Sequence, residues 1–295
     1  MDLESLRIFR SVAAELSVTH AATRLGRAPS NVSTRIQQLE ADLGVDLFVR
    51  SGKRMALSTA GERFLDYAQR FLALETEARH VVTGGQDGGM LRIGSMESTA
   101  ASRLPALLVP YHSAHPTTRL ELSTGASRQL IERVRKGQLD CAFAALPPSL
   151  TEPAALDELG LCTAHGWTED LVLLLPVGDA KAKRISDVRT RSFAGFPQGC
   201  TYRSLAEDLL GAGGSTEWSV QEMNSYHAMI ACVAAGASVT LLPQSVLALT
   251  RLPAGLGTLK VGRSDTVLLW RAGYDTPAFG HLRAHLKGAQ QGAPQ

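Results

Sequence analysis

The stretch from Ser17 to Leu57 constrains this chain most, because its short helical runs, turns and cations admit few arrangements. Ala21, Ala22 and Leu25 place small and apolar residues on one face of a short helix, and Gly26 stands where a left-handed residue ends it. Pro29, with its fixed φ, suits the first position of a second helix. Val32, Ile36, Leu39 and Leu43 then recur at steps of four, three and four before Gly44, which predicts one buried stripe. The opposite face carries Ser30, Asn31, Ser33, Thr34, Arg35 and Gln38, side chains that read base edges or hold phosphates. Phe48 and Val49, then Met55 to Leu57, flank the Ser51-Gly52 turn as hairpin strands do, bringing Arg50, Lys53 and Arg54 to its tip. Neither the segment between Leu16 and Leu39 nor that between Leu47 and Gly61 contains Asp or Glu, and acids there would repel phosphate. The pattern predicts a head that reads double-stranded DNA.

The run AATRLGRAPSNVSTRIQQLEADLGVDLFVR, followed by LSTAGERFLDYA, resembles the winged helix-turn-helix and linker helix of LysR-type transcriptional regulators. The resemblance extends over essentially the whole chain. Within the family, Gly94 to Leu108, Cys200 to Arg203 and Ser225 to Pro243 resemble a subgroup linked to putrescine and amine utilisation. The chain departs from the common pattern at Pro29, where Gln is usual, and at Thr34, where Arg is usual, with Arg35 one place later. Base preference therefore does not carry over. The resemblance implies Ser30 to Gln38 in the major groove, wing residues at adjacent minor groove or phosphate, and a two-lobed α/β effector domain resembling periplasmic binding proteins. It also implies a homodimer assembled further into a tetramer as a dimer of dimers, with RNA polymerase as another partner.

The expected architecture is α+β and multi-domain. A winged helix-turn-helix takes 1–58, a linker and dimerisation helix 59–83, a glycine-rich hinge 84–89, and an effector-binding domain 90–295. In that last domain one lobe takes 90–162 with 267–295 and the other 163–266. A chain of 295 residues with 44% hydrophobic content suits two or three such units, and a net charge of +2 excludes a uniformly basic coat. Leu6, Phe9, Val12, Ala13 and Leu16 predict an amphipathic first helix. Thr59 and Glu62 read as a capping box opening a long helix, along which Phe64, Ala68, Phe71, Ala78 and Val82 form a stripe that needs a second copy. After Met90, β-rich runs alternate with helical patterns, which predicts βαβ units and a parallel sheet. The scattered Cys141, Cys162, Cys200 and Cys232 show no CxxC pair, so neither a disulfide framework nor a zinc site is expected, and no cofactor is. The N-terminus has acids at Asp2 and Glu4 and no apolar core after them, and no apolar run reaches the length of a membrane span. A cytoplasmic protein without membrane contact is expected.

In open α/β sheets, ligands gather beyond the carboxyl ends of the strands, where helix N-termini offer unpaired N–H groups. Four hydroxyl-rich stretches fit: Ser95 to Thr99, Ser123 to Ser127, Gly199 to Arg203 and Asn224 to His227. They nominate Ser98, Thr99, Thr124, Thr201, Tyr202, Arg203, Ser225, Tyr226 and His227 for a small polar metabolite, anionic or zwitterionic, with Arg203 matched to a carboxylate. Competing readings are helix caps for the hydroxyls, a protein carboxylate as the partner of Arg203, and a half-buried polar role for His227. An enzyme using Cys200 or His227 lacks GxSxG, HExxH, Walker or GxGxxG patterns, and a solute-binding protein has no use for Ser17 to Leu57.

Overall fold

A computed structural model describes residues 1–51, 54–82 and 89–291. The chain divides into two compact units, Met1–Gly84 with Lys136–Gln138, and Gly85–Arg135 with Leu139–Gln295. The expected hinge lies outside the described residues except for Gly89.

The first unit begins with α1 (Leu3–Glu15), α2 (Val18–Leu25) and α3 (Pro29–Leu43). Gly26 and Gly44 hold φ of 63° and 69°, the left-handed turns that end α2 and α3. The expected stripe is buried at Val32, Ile36 and Leu39, packed with Leu6, Ile8, Phe9 and Val12 of α1. β1 (Phe48–Ser51) and β2 (Arg54–Leu57) pair antiparallel, Phe48 opposite Leu57, as the wing. α4 (Thr59–Val82) follows. Its cap lies one residue before the expected Thr59: Ser58 Oγ accepts the Gly61 N–H at 2.9 Å and donates to Asp46 O at 2.6 Å. The stripe of α4 is also shared differently. Phe64 packs on Phe9 with ring centroids 5.1 Å apart, and Ala68 and Leu72 are buried in the head. Tyr67, Phe71 and Leu74 stay exposed.

In the second unit, β3 (Met90–Ser95) leads to the short α5 (Glu97–Ser102) and to α6 (Leu104–Ala114). β4 (Arg119–Thr124), α7 (Ser127–Arg135), β5 (Cys141–Ala145) and α8 (Pro153–Glu158) come next. β6 (Leu161–Leu175), β7 (Ser192–Gly195), α9 (Thr201–Leu210), β8 (Ser219–Glu222) and α10 (Tyr226–Ala234) continue the chain. β9 (Thr240–Pro243), α11 (Gln244–Leu247), β10 (Gly257–Arg271) and α12 (Pro277–Gln291) close it.

The main sheet runs β4-β3-β5-β10-β6-β9, with β7-β8 as a parallel pair joined to the start of β9 through a Phe193–Val239 bridge. β3 pairs parallel with β4 and β5, whereas β10 is antiparallel to both β5 and β6, so the sheet is mixed and not wholly parallel. β6 and β10, 15 residues each, run side by side through the unit with register shifts at Lys260/Gly262 and Thr266/Val267. At one end β10 pairs with β5, and at the other β6 pairs with β9. These two strands link an α/β layer around Ile93, Phe143 and Phe279 to another around Leu174, Met229 and Leu242.

Candidate nucleic-acid interface and ligand cavity

On α3 the apolar stripe turns inward, which leaves Ser30, Asn31, Thr34 and Gln38 exposed and Ser33 and Arg35 half-buried. Ala28 gives this helix no side-chain cap, Pro29 has no N–H, and the Asn31 N–H donates to Ala28 O at 3.1 Å, so any hold on phosphate here falls to the side chains. Arg35 lies 3.4 Å from Asp2 Oδ2, and Arg27 lies 2.6 Å from Glu4 Oε1. The stretch that lacks acids in sequence thus meets acids from the start of α1 in space. The wing backbone carries Arg50 and Arg54 in facing strands, while Lys53 lies outside the described residues.

In the second unit a cavity of about 290 Å³ opens beyond the carboxyl ends of β3, β4, β7 and β8. Ser98, Thr124, Tyr202 and Tyr226 line it as expected from sequence. So do Glu97, Gln129, Phe196 and Asn224. Asn224 belongs to a stretch already singled out; Phe196 and Gln129 carried no signal beyond lying next to a strand end and a helix start. Ser98 Oγ, Tyr202 Oη and Glu97 Oε2 are buried without a hydrogen bond of good geometry, although Tyr202 acts on Thr266 and Ser98 and the Tyr226 N–H acts on the Glu97 carboxyl. Desolvation raises the Glu97 carboxyl above its ordinary range, against the opposing pull of the Tyr226 N–H and of His227. The Tyr202 phenol is likewise pushed up, chiefly by burial.

Other nominated residues bond within the fold or lie off the lining of this cavity. Arg203, expected to grip a ligand carboxylate, is buried on α9: its Nε donates to Glu207 at 2.8 Å, and its Nη1 donates to Glu222 and to Phe196 O. Its Nε and Nη1 are thus taken by the protein, and it does not line the cavity. Thr201 donates to Ala145 O at 2.8 Å and borders a different cavity. Ser225 caps α10 by accepting the His227 N–H at 3.2 Å. Thr99 is buried within α5 away from the cavity lining, and His227 is exposed at the start of α10. Burial also raises the Cys200 thiol, which disfavours the thiolate that a nucleophile requires.

Residues 3–62 match the family model described as bacterial regulatory helix-turn-helix protein, lysR family, and residues 84–291 match the LysR substrate binding domain. The HTH-type transcriptional regulator GltR of Bacillus subtilis (strain 168) is 32% identical, with 97% of this chain and 96% of that protein covered. The HTH-type transcriptional regulator YusT of the same organism is 36% identical, over 84% of this chain and 80% of its own. The crystal structure of full-length CbnR complexed with its target DNA superposes with a TM-score of 0.68 at 23% identity, covering 98% of this chain and 100% of that one.

Proposed function

Because the chain belongs to the LysR family of DNA-binding transcriptional regulators with an effector-binding domain, we propose that it recognises an operator through α3 and the wing and senses a small metabolite in the cavity beyond β3, β4, β7 and β8. Ser30, Asn31, Ser33, Thr34, Arg35 and Gln38 meet base edges or phosphates. Arg50, Lys53 and Arg54 meet the neighbouring backbone. The lobes are 90–162 with 267–295, and 163–266, so effector binding changes how β6 and β10 hold them, which is a coupling free energy between two sites. The observation that carries this reading is the pair of buried hydroxyls, Ser98 and Tyr202, that line a cavity at the strand ends where α/β sheets take ligands. The chain works in the cytoplasm as a homo-oligomer built on the exposed face of α4, with RNA polymerase as a further partner. No helix among the described residues is long and apolar enough to cross a membrane. The relatives lend no support to a putrescine and amine subgroup, which has on its side only the carboxylate that lines the cavity.

Capture of genomic DNA fragments by the full-length chain tests the first half. A screen of metabolites for thermal stabilisation, repeated on Ser98→Ala and Tyr202→Phe, tests the second. A metabolite that stabilises all three proteins equally places the effector elsewhere.

A further inference from the structure

The charge of the cavity decides which class of effector it accepts. Among the described residues that line it, Glu97 is the one with a formal charge at neutral pH, and its Oε2 is buried without a partner. Arg203 of α9, which does not line the cavity, is engaged by Glu207 and Glu222. An anion entering here meets a carboxylate in poorly hydrated space and finds no cation in the lining, a costly arrangement for like charges. A cation reverses the sign of that interaction and supplies the partner that Glu97 Oε2 lacks. Phe196, Tyr202 and Tyr226 line the same space, the Phe196 and Tyr226 rings in a T-shaped pair with centroids 4.9 Å apart, and aromatic rings attract cations through their faces.

We propose that the effector is a small cationic amine whose ammonium is received by Glu97 and whose remaining polar atoms bond to the hydroxyls of Ser98 and Tyr202. This rests on the reading that the cavity is the effector site. A volume of about 290 Å³ admits a metabolite and excludes a polymer. The carboxylate belongs to the β3 side of the cavity, and the Tyr226 N–H and His227 that act on it belong to α10. An ammonium held at Glu97 therefore binds the carboxylate on which groups from both sides act.

The test uses the full-length chain with linear alkylamines and alkyldiamines, and with the matching alkanoates and alkanols as charge controls, read by thermal stabilisation and titration calorimetry. At least one amine binds wild type, and Glu97→Gln weakens that binding by about tenfold to a hundredfold, the range for a hydrogen bond to a charged group. Glu97→Asp keeps the charge and retains selectivity for amines, which preserves the test if Glu97→Gln folds poorly. Alkanoate binding that is lost in Ser98→Ala and tightened in Glu97→Gln overturns the cationic class while leaving the cavity as the effector site. Amine binding unchanged in Glu97→Gln, Ser98→Ala and Tyr202→Phe overturns the cavity itself. Failure of every amine to bind at about millimolar concentration also overturns the proposal.

Discussion

Arg103, at the junction of α5 and α6, holds the buried carboxylate of Glu169 in β6 with two donors, Nε to Oε1 at 2.6 Å and Nη2 to Oε2 at 3.1 Å. Glu169 is 2% exposed, so removing the guanidinium leaves a charge buried and unpaired. Arg103→Ala should destabilise the second unit by about 3–5 kcal/mol, and Arg103→Met combined with Glu169→Gln should recover much of that loss. Chemical denaturation of wild type and the two variants decides it. An equal loss in the single and double variants would show that the pair acts by packing alone.

Gly61 sits in the first turn of α4 where a Cβ would stand 2.0 Å from the carbonyl oxygen of Leu47. Backbone cannot give way as a flexible side chain does. Gly61→Ala should therefore cost about 1–3 kcal/mol through overpacking, despite the better helix propensity of alanine. Gly213→Ala, where a Cβ meets nothing within 4 Å, is the control and should change the melting temperature little. A stabilised Gly61→Ala would mean that the head tolerates a shift of α4 away from the wing.

Much of this fold was legible in the sequence, and the parts that were not share a physical cause. Local signals in the head, the Gly26 and Gly44 stops and the Val32, Ile36, Leu39 stripe, depend on neighbours in sequence, and the helices end where those signals stand. The short strands at Leu171 and Val267 were visible, but the full extent of β6 and β10 was not. Gly166, Glu169, Asp170, Gly262, Arg263 and Asp265 interrupt their apolar alternation, and their pairing is fixed by the facing strand. The same limit applies to the cavity. Ser98, Tyr202 and Tyr226 announce themselves at strand ends, whereas the fate of Arg203 depends on Glu222, 19 residues away and across a helix–strand turn.

The acid-free stretches around α3 were a one-dimensional observation, and Asp2 corrects it by lying 3.4 Å from Arg35. This pair is exposed, so it contributes little to folding, but it competes with DNA for the guanidinium. Asp2→Asn should tighten binding to operator and random DNA alike and steepen the salt dependence by roughly one phosphate contact. Filter binding over a salt series measures both. A loss of operator preference without a change in salt slope would instead make Asp2 a buttress that orients Arg35 on a base.

On α4, the inner face is occupied by the head, and Tyr67, Phe71 and Leu74, which are 58%, 47% and 60% exposed, are left for the self-association proposed above. A patch of this kind on a helix calls for a partner. Phe71→Asp should lower the oligomer mass by light scattering and leave the melting of the head close to wild type. Unchanged mass would move the interface to another surface.

Glu97 offers a pH dependence whose sign follows from its surroundings. Desolvation raises its carboxyl above the ordinary value in the folded chain, and the Tyr226 N–H and His227 oppose this without reversing it. Between the ordinary and the raised value the folded chain holds a proton that the unfolded chain has released, so stability falls as pH rises through that window and stays lower above it. Glutamine has no proton to release. The melting temperature of Glu97→Gln should therefore gain on wild type from acidic toward neutral pH, with the two closest below the ordinary carboxyl value. An amine bound at Glu97 should shrink the difference at neutral pH by stabilising wild type more than the variant. Parallel melting curves across the whole range would mean that the folded chain leaves Glu97 as hydrated as the unfolded one.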